Sequence, residues 1–513
     1  MSSPRPRHVP GVPLDVVAAL VGARTEGHTP PALVTGVTLD SRVVRPGDLY
    51  AALPGYSTHG AGFGAEAREA GAVAVLTDPS GLPVLRDAGV FLPTLVVDHP
   101  REVLGDLAAQ VYGRPADALT LVGITGTNGK TTTAYLVESG LRHLALTTGL
   151  IGTVETRIGT ERLPSTRTTP EATDLHAIFA LMREAGTEVA VMEVSSHALA
   201  QHRVDGAVFD VALFTNLSQD HLDFHPDMEH YFAAKAALFT PQHSGRGVVC
   251  VDDAWGRRLA HSATVPVTTL ATHPGEVADW HVHGLGWPRF TLHGPGVALS
   301  LSCHLPGDFN VTNTAMAAVA LLTLGHDPAA VQRAMAQEPV VPGRMERVTA
   351  TTPTTDDPRC VVDYAHTPDA VDAALRALRP TTPGRLLVVL GAGGDRDRGK
   401  RPAMGEAAAR WADHVIVTDD NPRTEVPATV RGEVAAGAPR PDIVTDVGGR
   451  AAAIAAAVGR AREGGTPHDN TVVVLGKGHE TGQDIGGSIH PFDDRDALRA
   501  ALDGTPYRPE DPA

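Results

Sequence analysis

Residues 118–133 read Ala-Leu-Thr-Leu-Val-Gly-Ile-Thr-Gly-Thr-Asn-Gly-Lys-Thr-Thr-Thr. An apolar, β-branched run ends in a glycine-rich loop, which passes straight into a lysine, three threonines and a helix-forming stretch. That order of parts commits the chain to a buried strand, a phosphate cradle and a helix packed on a mostly parallel sheet. Gly126 and Gly129 let backbone N–H groups turn inward toward phosphate oxygens where a Cβ would clash. Lys130 supplies a mobile charge for the outer phosphates, the Thr131 hydroxyl suits Mg²⁺, and the helix N-terminus adds partial positive charge at the same spot. A strict G-x-x-x-x-G-K-[ST] pattern would need Gly at position 124, where Ile stands. The loop is therefore a variant, Gly126-Thr127-Asn128-Gly129-Lys130-Thr131, with Thr132 following.

A length of 513 residues fits about three domains. Hydrophobic residues make up 42% and charged residues 20%, enough for packed cores. A formal charge of −16 argues against a nucleic-acid partner, whose footprint is basic. Three scattered cysteines, Cys250, Cys303 and Cys360, suggest neither a disulfide framework nor a zinc site and fit a reducing cytoplasm. No apolar run is long enough for a membrane span, and the polar, Pro-rich start lacks a signal-peptide core.

The expected fold class is α/β in three blocks. Residues 1–117 read as a small α/β domain, 118–342 as a central phosphate-loop domain on a mostly parallel sheet, and 343–513 as a Rossmann-like domain. The last block holds strand candidates at 385–390, 414–417 and 471–475. Each runs into a polar or glycine-rich loop: Gly391 to Asp397, Asp420-Asn421-Pro422-Arg423, and Gly476-Lys-Gly-His-Glu480. The C-terminal ends of parallel strands share one edge, so these loops are expected to be neighbours there.

In the central block the strand candidate 188–194 delivers Glu193 to its C-terminal end, placed as a carboxylate that holds Mg²⁺ opposite a phosphate loop. The next strand, 208–214, runs into Asn216-Leu-Ser-Gln-Asp-His221, where His221 is a candidate cation ligand or a structural histidine. On the expected helix 228–239, Lys235 shares a face with Tyr231, Leu238 and Phe239. Spacing alone favours an amine that snorkels to water. Burial would instead lower its pKa and make it a nucleophile for CO₂, giving a carbamate that can bind Mg²⁺.

Taken together, Gly126 to Thr131, Thr168-Thr-Pro170, Met192-Glu-Val-Ser-Ser-His197, Asn216 to His221, Lys235, Gly307-Asp-Phe-Asn310 with Asn313, Pro342-Gly-Arg-Met-Glu346 and Asp363-Tyr-Ala-His366 resemble the Mur ligase family. These are ATP-dependent enzymes that add amino acids to peptidoglycan precursors. Within the family the chain is similar to members that add a diamino acid to UDP-MurNAc-L-Ala-D-Glu. The resemblance implies ATP phosphates on Gly126, Thr127, Asn128, Gly129, Lys130, Thr131 and Thr132, with Asn310, Arg344 and Asp363 near adenosine. It implies Mg²⁺ on Thr131, Glu193 and His221, and Lys235 as a CO₂-derived carbamate (N6-carboxylysine), against the spacing preference. Lys130, Lys235 and His366 are the implied catalytic residues. Leu39, Ser41, Thr168, Thr169, Ser195, Gln201 and Arg203 are implied to hold the UDP-MurNAc-dipeptide. Where the family usually has His in that region, position 56 is Tyr.

The Asp420-Asn421-Pro422-Arg423 loop resembles the version that accepts diaminopimelate. That acceptor differs from lysine by one distal carboxylate, which a guanidinium takes by a bidentate pair. Arg396 and Arg423 are candidate clamps, and Glu480 with the Gly476 backbone faces the distal ammonium. Lysine would leave the guanidinium unpaired, at a cost of roughly 3–5 kcal/mol. The expected partners are the small-molecule substrates and ATP, with no nucleic acid and no membrane; the cysteine pattern and the polar start point to the cytoplasm, and monomer is the plain default. Folylpolyglutamate synthetase is similar in its phosphate loop, but the 420–423 loop argues against that reading.

Overall fold

The computed structural model describes residues 5–27, 31–55, 58–165, 167–395, 397–463 and 466–509. Tyr56 and Arg396 lie outside them. The chain divides into two compact units. One runs to His283 and includes Thr291–Leu301 and Asn313–Gln337; the other comprises Gly284–Phe290, Ser302–Thr312 and the chain from Glu338 onward. The architecture is α/β, as expected. Among the described residues no helix is long and apolar enough to cross a membrane.

The first unit opens with a small sheet of parallel strands, Gly36–Thr38, Asp48–Ala51, Ala74–Thr77 and Thr94–Val96, edged by antiparallel Arg24–Glu26. Helix Pro100–Val111 starts on a proline, whose fixed φ suits a first turn. Its Leu104, Leu107 and Val111 recur at helical spacing and pack with Val37, Leu49, Leu76 and Leu95.

The larger sheet of this unit places Thr148–Ile151, Val189–Glu193, Thr120–Thr125, Val211–Phe214, Gly247–Cys250 and Val267–Ala271 side by side in parallel. Helices cover it, so its central strands are buried but for the partly exposed Thr120 and read as mostly apolar runs rather than alternating ones. Register places Glu193 beside Ile124 and Phe214 beside Thr125. Glu193, the phosphate loop and Asn216 therefore emerge at one edge of the sheet, the edge where parallel sheets bind ligands. The 211–214 strand is shorter than expected because Val208 is exposed and Phe209 instead bridges to Ser244. The Lys235 helix spans Met228–Ala236 and tightens into a 3₁₀ turn over Ala237–Phe239. Asp227 caps it by accepting from His230 N at 2.9 Å.

The second unit is a sheet of parallel strands in the order Arg359–Asp363, Thr471–Leu475, Leu386–Leu390, His414–Val417 and Val444–Asp446, edged by antiparallel Glu346–Val348. One apolar cluster on it includes Leu375, Val388, Met404 and Val434; another includes Val389, Ile454, Val458 and Leu498. Two helix-covered faces are the Rossmann-like layering the sequence suggests.

Candidate active site

The loop after strand Thr120–Thr125 bends through Gly126 (φ 147) and Gly129 (φ 86), and helix Lys130–His143 begins at once. A Cβ on Gly126 would sit 1.9 Å from Thr215 Oγ1, and one on Gly129 2.5 Å from Asn313 Oδ1. Both glycines are thus required by space as well as by backbone angle. The loop is held from the neighbouring strand end. Asn128 N donates to Asn216 Oδ1 (2.9 Å), Thr127 N to Asn216 O (3.0 Å), and Thr215 Oγ1 to Asn128 O (2.6 Å). Thr132 is buried in the first turn of the helix. Lys130 Nζ folds back onto the carbonyls of Gly126 (2.9 Å) and Thr127 (3.0 Å), over the loop it would serve.

Lys235 is 1% exposed and donates from Nζ to the Gly126 carbonyl at 2.8 Å. The same amine lies 4.7 Å from the centroid of the Tyr231 ring. This corrects the snorkelling arrangement favoured by spacing. The helix face reads as apolar either way, but here it packs inward on the phosphate loop. Burial, and then the nearby Lys130 charge, hold its pKa well below the ordinary lysine range.

Glu193 is 1% exposed and accepts from Thr131 Oγ1 (2.9 Å), Thr153 N (2.8 Å) and Thr153 Oγ1 (3.2 Å). Its oxygens and the Thr131 hydroxyl form a hard-oxygen corner suited to Mg²⁺, and most of the remaining ligands of such a site come from water and phosphate. His221 holds a left-handed backbone (φ 55) with its ring 4.9 Å from that of His197. Burial lowers its pKa, favouring the neutral, ligating form. Among the described residues no group of three His, Cys, Asp or Glu makes a ready cage for a metal.

Thr168 meets Thr153 Oγ1 at 3.0 Å, and Thr169 Oγ1 donates to the Glu193 carbonyl at 2.9 Å and accepts from Ser195 N at 3.0 Å. Arg203 reaches Gln201 Oε1 (2.6 Å) and the Thr169 carbonyl (3.3 Å). Thr168, Thr169, Ser195, Gln201 and Arg203 thus form one cluster. Glu171 adds to it, pairing with Arg101 and Arg203 at 3.0 Å each and with Arg167. Beside the cluster a cleft of about 1540 Å³ runs past Arg167 and Glu171 to Leu39 and Ser41. That exceeds the roughly 300–1,000 Å³ of ordinary ligand pockets.

The second unit brings its three loops together. Asn421 Nδ2 donates to Glu480 Oε2 at 2.9 Å, and a Cβ on Gly476 (φ 116) would lie 2.4 Å from Asp420 Oδ2. The Gly394 Cα hydrogens face the Pro422 carbonyl, and Arg423 Nη1 donates to the Gly394 carbonyl. Arg423 also lies 4.0 Å from Asp484 and has φ 51. Elsewhere in this unit, Asp363 accepts from Met345 N and Ala365 N, both at 2.8 Å, and burial raises its pKa against the nearby Arg344 charge. Arg344 stacks 4.1 Å above the Tyr364 ring, and His366 Nδ1 lies 2.8 Å from the Tyr364 carbonyl. Asn310 Nδ2 donates to the Pro306 carbonyl at 2.8 Å.

Sequence reasoning passed over Thr153, Glu171, Asn216 and Lys477. Asn216 and Lys477 sit inside motifs already singled out. Thr153 acts through a partner 40 residues away and carries no local signal, whereas Glu171 has one local partner, Arg167 four residues before it, beside the distant Arg101 and Arg203.

Comparison with known proteins agrees with the geometry. Family models match along the chain: "Mur ligase family, catalytic domain" at 33–112, "Mur ligase middle domain" at 124–321 and "Mur ligase, glutamate ligase domain" at 343–502. The chain is 54% identical over 512 residues to the UDP-N-acetylmuramoyl-L-alanyl-D-glutamate–2,6-diaminopimelate ligase of Streptomyces avermitilis, covering 98% of both chains. To the protein of the same name in Corynebacterium glutamicum it is 49% identical over 486 residues, 91% of this chain and 92% of that one. A solved structure of a ligase with that name aligns with TM-score 0.65 at 30% identity, over 96% of this chain and 99% of that chain. A MurF structure from Acinetobacter baumannii shares the fold at TM-score 0.65 and 18% identity, over 91% and 96%. The chain belongs to the Mur ligase family.

Proposed function

We propose that this protein is an ATP-dependent ligase that joins diaminopimelate, the meso form by default, to the D-Glu side-chain carboxylate of UDP-MurNAc-L-Ala-D-Glu in peptidoglycan precursor synthesis. The observation that carries this reading is full-length similarity to ligases of that name, combined with an Arg423-bearing loop packed against Glu480.

A carboxylate is a poor electrophile at neutral pH and must be activated before an amine can attack it. A carboxylate oxygen of D-Glu attacks the γ-phosphorus of ATP, ADP leaves, and an acyl phosphate forms. The acceptor amine then adds to the acyl carbon and loses a proton; the C–O bond to phosphate breaks and the amide remains. Lys130 and the loop amides of Gly126 to Thr132 hold the phosphates and offset the charge gathered between two anions. Thr131, Glu193 and His221 are the residues that would hold Mg²⁺, which supplies Lewis-acid charge stabilisation. Burial eases deprotonation of the Lys235 amine; the free amine would add to CO₂ and release a proton, and the resulting carbamate would join that set. Thr168, Thr169, Ser195, Gln201 and Arg203 hold the dipeptide, with the nucleotide end along the cleft past Leu39 and Ser41. Asn310, Arg344 and Asp363 serve the adenosine, and His366 orients the acyl phosphate. Asp420, Asn421, Pro422, Arg423, Gly476 and Glu480 hold the acceptor, and Arg396 belongs to the same loop set. The working domains are 1–117, 118–342 and 343–513, and the protein acts as a cytoplasmic monomer.

The test is phosphate release that depends on an amine, assayed with UDP-MurNAc-L-Ala-D-Glu, ATP and a panel of lysine and diaminopimelate isomers. Turnover should require diaminopimelate and be weak with lysine; equal turnover with both, or release without any amine, would refute the assignment. Lys130→Ala should lower kcat about a hundred- to a thousandfold with the fold intact by circular dichroism.

A further inference from the structure

Lys477 is 0% exposed, yet it carries a charge and sits between two residues of the acceptor loops. Its Nζ donates to Glu480 Oε2 at 2.9 Å and to Asn421 Oδ1 at 3.1 Å. The glycines on either side take left-handed angles, Gly476 at φ 116 and Gly478 at φ 56, and neither position has room for a side chain. This Gly-Lys-Gly turn buries the lysine stem beneath the loop. An ammonium only donates, so the Asn421 oxygen must face Lys477. The same oxygen also accepts from Asp484 N at 2.9 Å, and the amide nitrogen is then directed at Glu480 Oε2, also at 2.9 Å. Glu480 thus accepts two fixed bonds on Oε2, and Oε1 stands outside both. The Glu480 side chain remains 32% exposed while its partner is sealed.

We propose that Lys477 is a positioning residue for the acceptor. It fixes Glu480 and the Asn421 amide in one orientation, so that Glu480 presents a single oxygen, Oε1, to an ammonium group on the incoming dibasic amino acid. This rests on the functional reading above and deepens it. Without Lys477, the amide can flip and the carboxylate can rotate, and the acceptor meets a disordered partner. The role concerns binding of one substrate and leaves phosphoryl transfer untouched.

The test uses full-length protein and first establishes wild-type turnover with diaminopimelate. Lys477→Met keeps the length and removes the charge. It should raise the acceptor KM roughly ten- to a hundredfold, as expected for contacting residues in one network, with kcat and the ATP KM changed less than about threefold. Lys477→Ala opens a space for a small cation. Propylammonium should restore the acceptor KM there, while propanol, of similar size and uncharged, should not. An unchanged acceptor KM in Lys477→Met overturns the inference, as does equal rescue by both additives. A uniform loss of activity with a lowered Tm and no rescue overturns it too, since that marks a merely structural lysine. Should Lys477→Met not fold, Lys477→Gln answers the same question. An inactive wild type would instead refute the functional reading itself, which separates the two failures.

Discussion

At the scale of single residues, Lys235 departs furthest from what its spacing suggests. Its amine is buried and hydrogen-bonded to the Gly126 carbonyl instead of snorkelling to water, and the proposed carbamate rests on that burial. Lys235→Ala should lose activity and partly regain it with formate or acetate, which replaces the missing carbamate. Failure of that rescue, together with no carbamate adduct on the wild-type lysine by mass spectrometry, would count against the modification. Arg423→Ala should raise the diaminopimelate KM about ten- to a hundredfold, the value of a charge-assisted hydrogen bond, and leave the ATP KM unchanged; equal effects on both substrates would remove the clamp. Part of this is legible in the sequence. Glu193 could be placed because a carboxylate at the end of an apolar strand has one obvious position on a parallel sheet. The orientation of Lys235 could not, because helical spacing defines a face without saying what that face meets. Lys477 was hidden for another reason: inside a glycine-rich motif, a lysine reads as a surface residue until burial is known.

At the scale of elements, the acceptor loops depend on close backbone approach and on what lies beneath them. Gly476→Ala would force a Cβ to 2.4 Å from Asp420 Oδ2 at a φ of 116. It should destabilise the second unit by about 1–3 kcal/mol and weaken acceptor binding, read by denaturant unfolding and by KM. Arg450, 0% exposed, forks onto Asp494 at 2.6 and 2.7 Å and donates to the Leu475 carbonyl at 2.8 Å. It ties helix Arg450–Arg462 and helix Asp494–Leu502 to the strand that carries Gly476. Asp494→Ala removes the forked partner of a buried guanidinium, leaving Asp420 at 3.9 Å as the nearer remaining carboxylate, and should lower the free energy of unfolding by about 3–5 kcal/mol. The strands 414–417 and 471–475 were readable to the residue because a short β-branched run between polar turns has few alternatives. The Arg450–Asp494 pair was not, because an arginine and an aspartate 44 residues apart give no local sign of pairing.

At the scale of the whole chain, the order of motifs was the most informative feature. A phosphate loop alone is shared by many folds and chemistries, whereas a phosphate loop, Glu193, Lys235 and the Arg423 loop in this sequence describe a ligase with a dibasic acceptor. The contents of the large cleft were less legible, because its lining is drawn from stretches within 5–8, 38–66, 156–171 and 174–185 and from Arg101, of which only Leu39, Ser41 and the Thr168-Thr-Pro170 motif stood out in the sequence. The central claim is that ATP energy is captured as an acyl phosphate. It is tested most directly by labelling the D-Glu side-chain carboxylate with heavy oxygen and following the label through one round of turnover. The account predicts one heavy oxygen in the released phosphate for each amide formed. Inorganic phosphate carrying no label, with amide still produced, would contradict it.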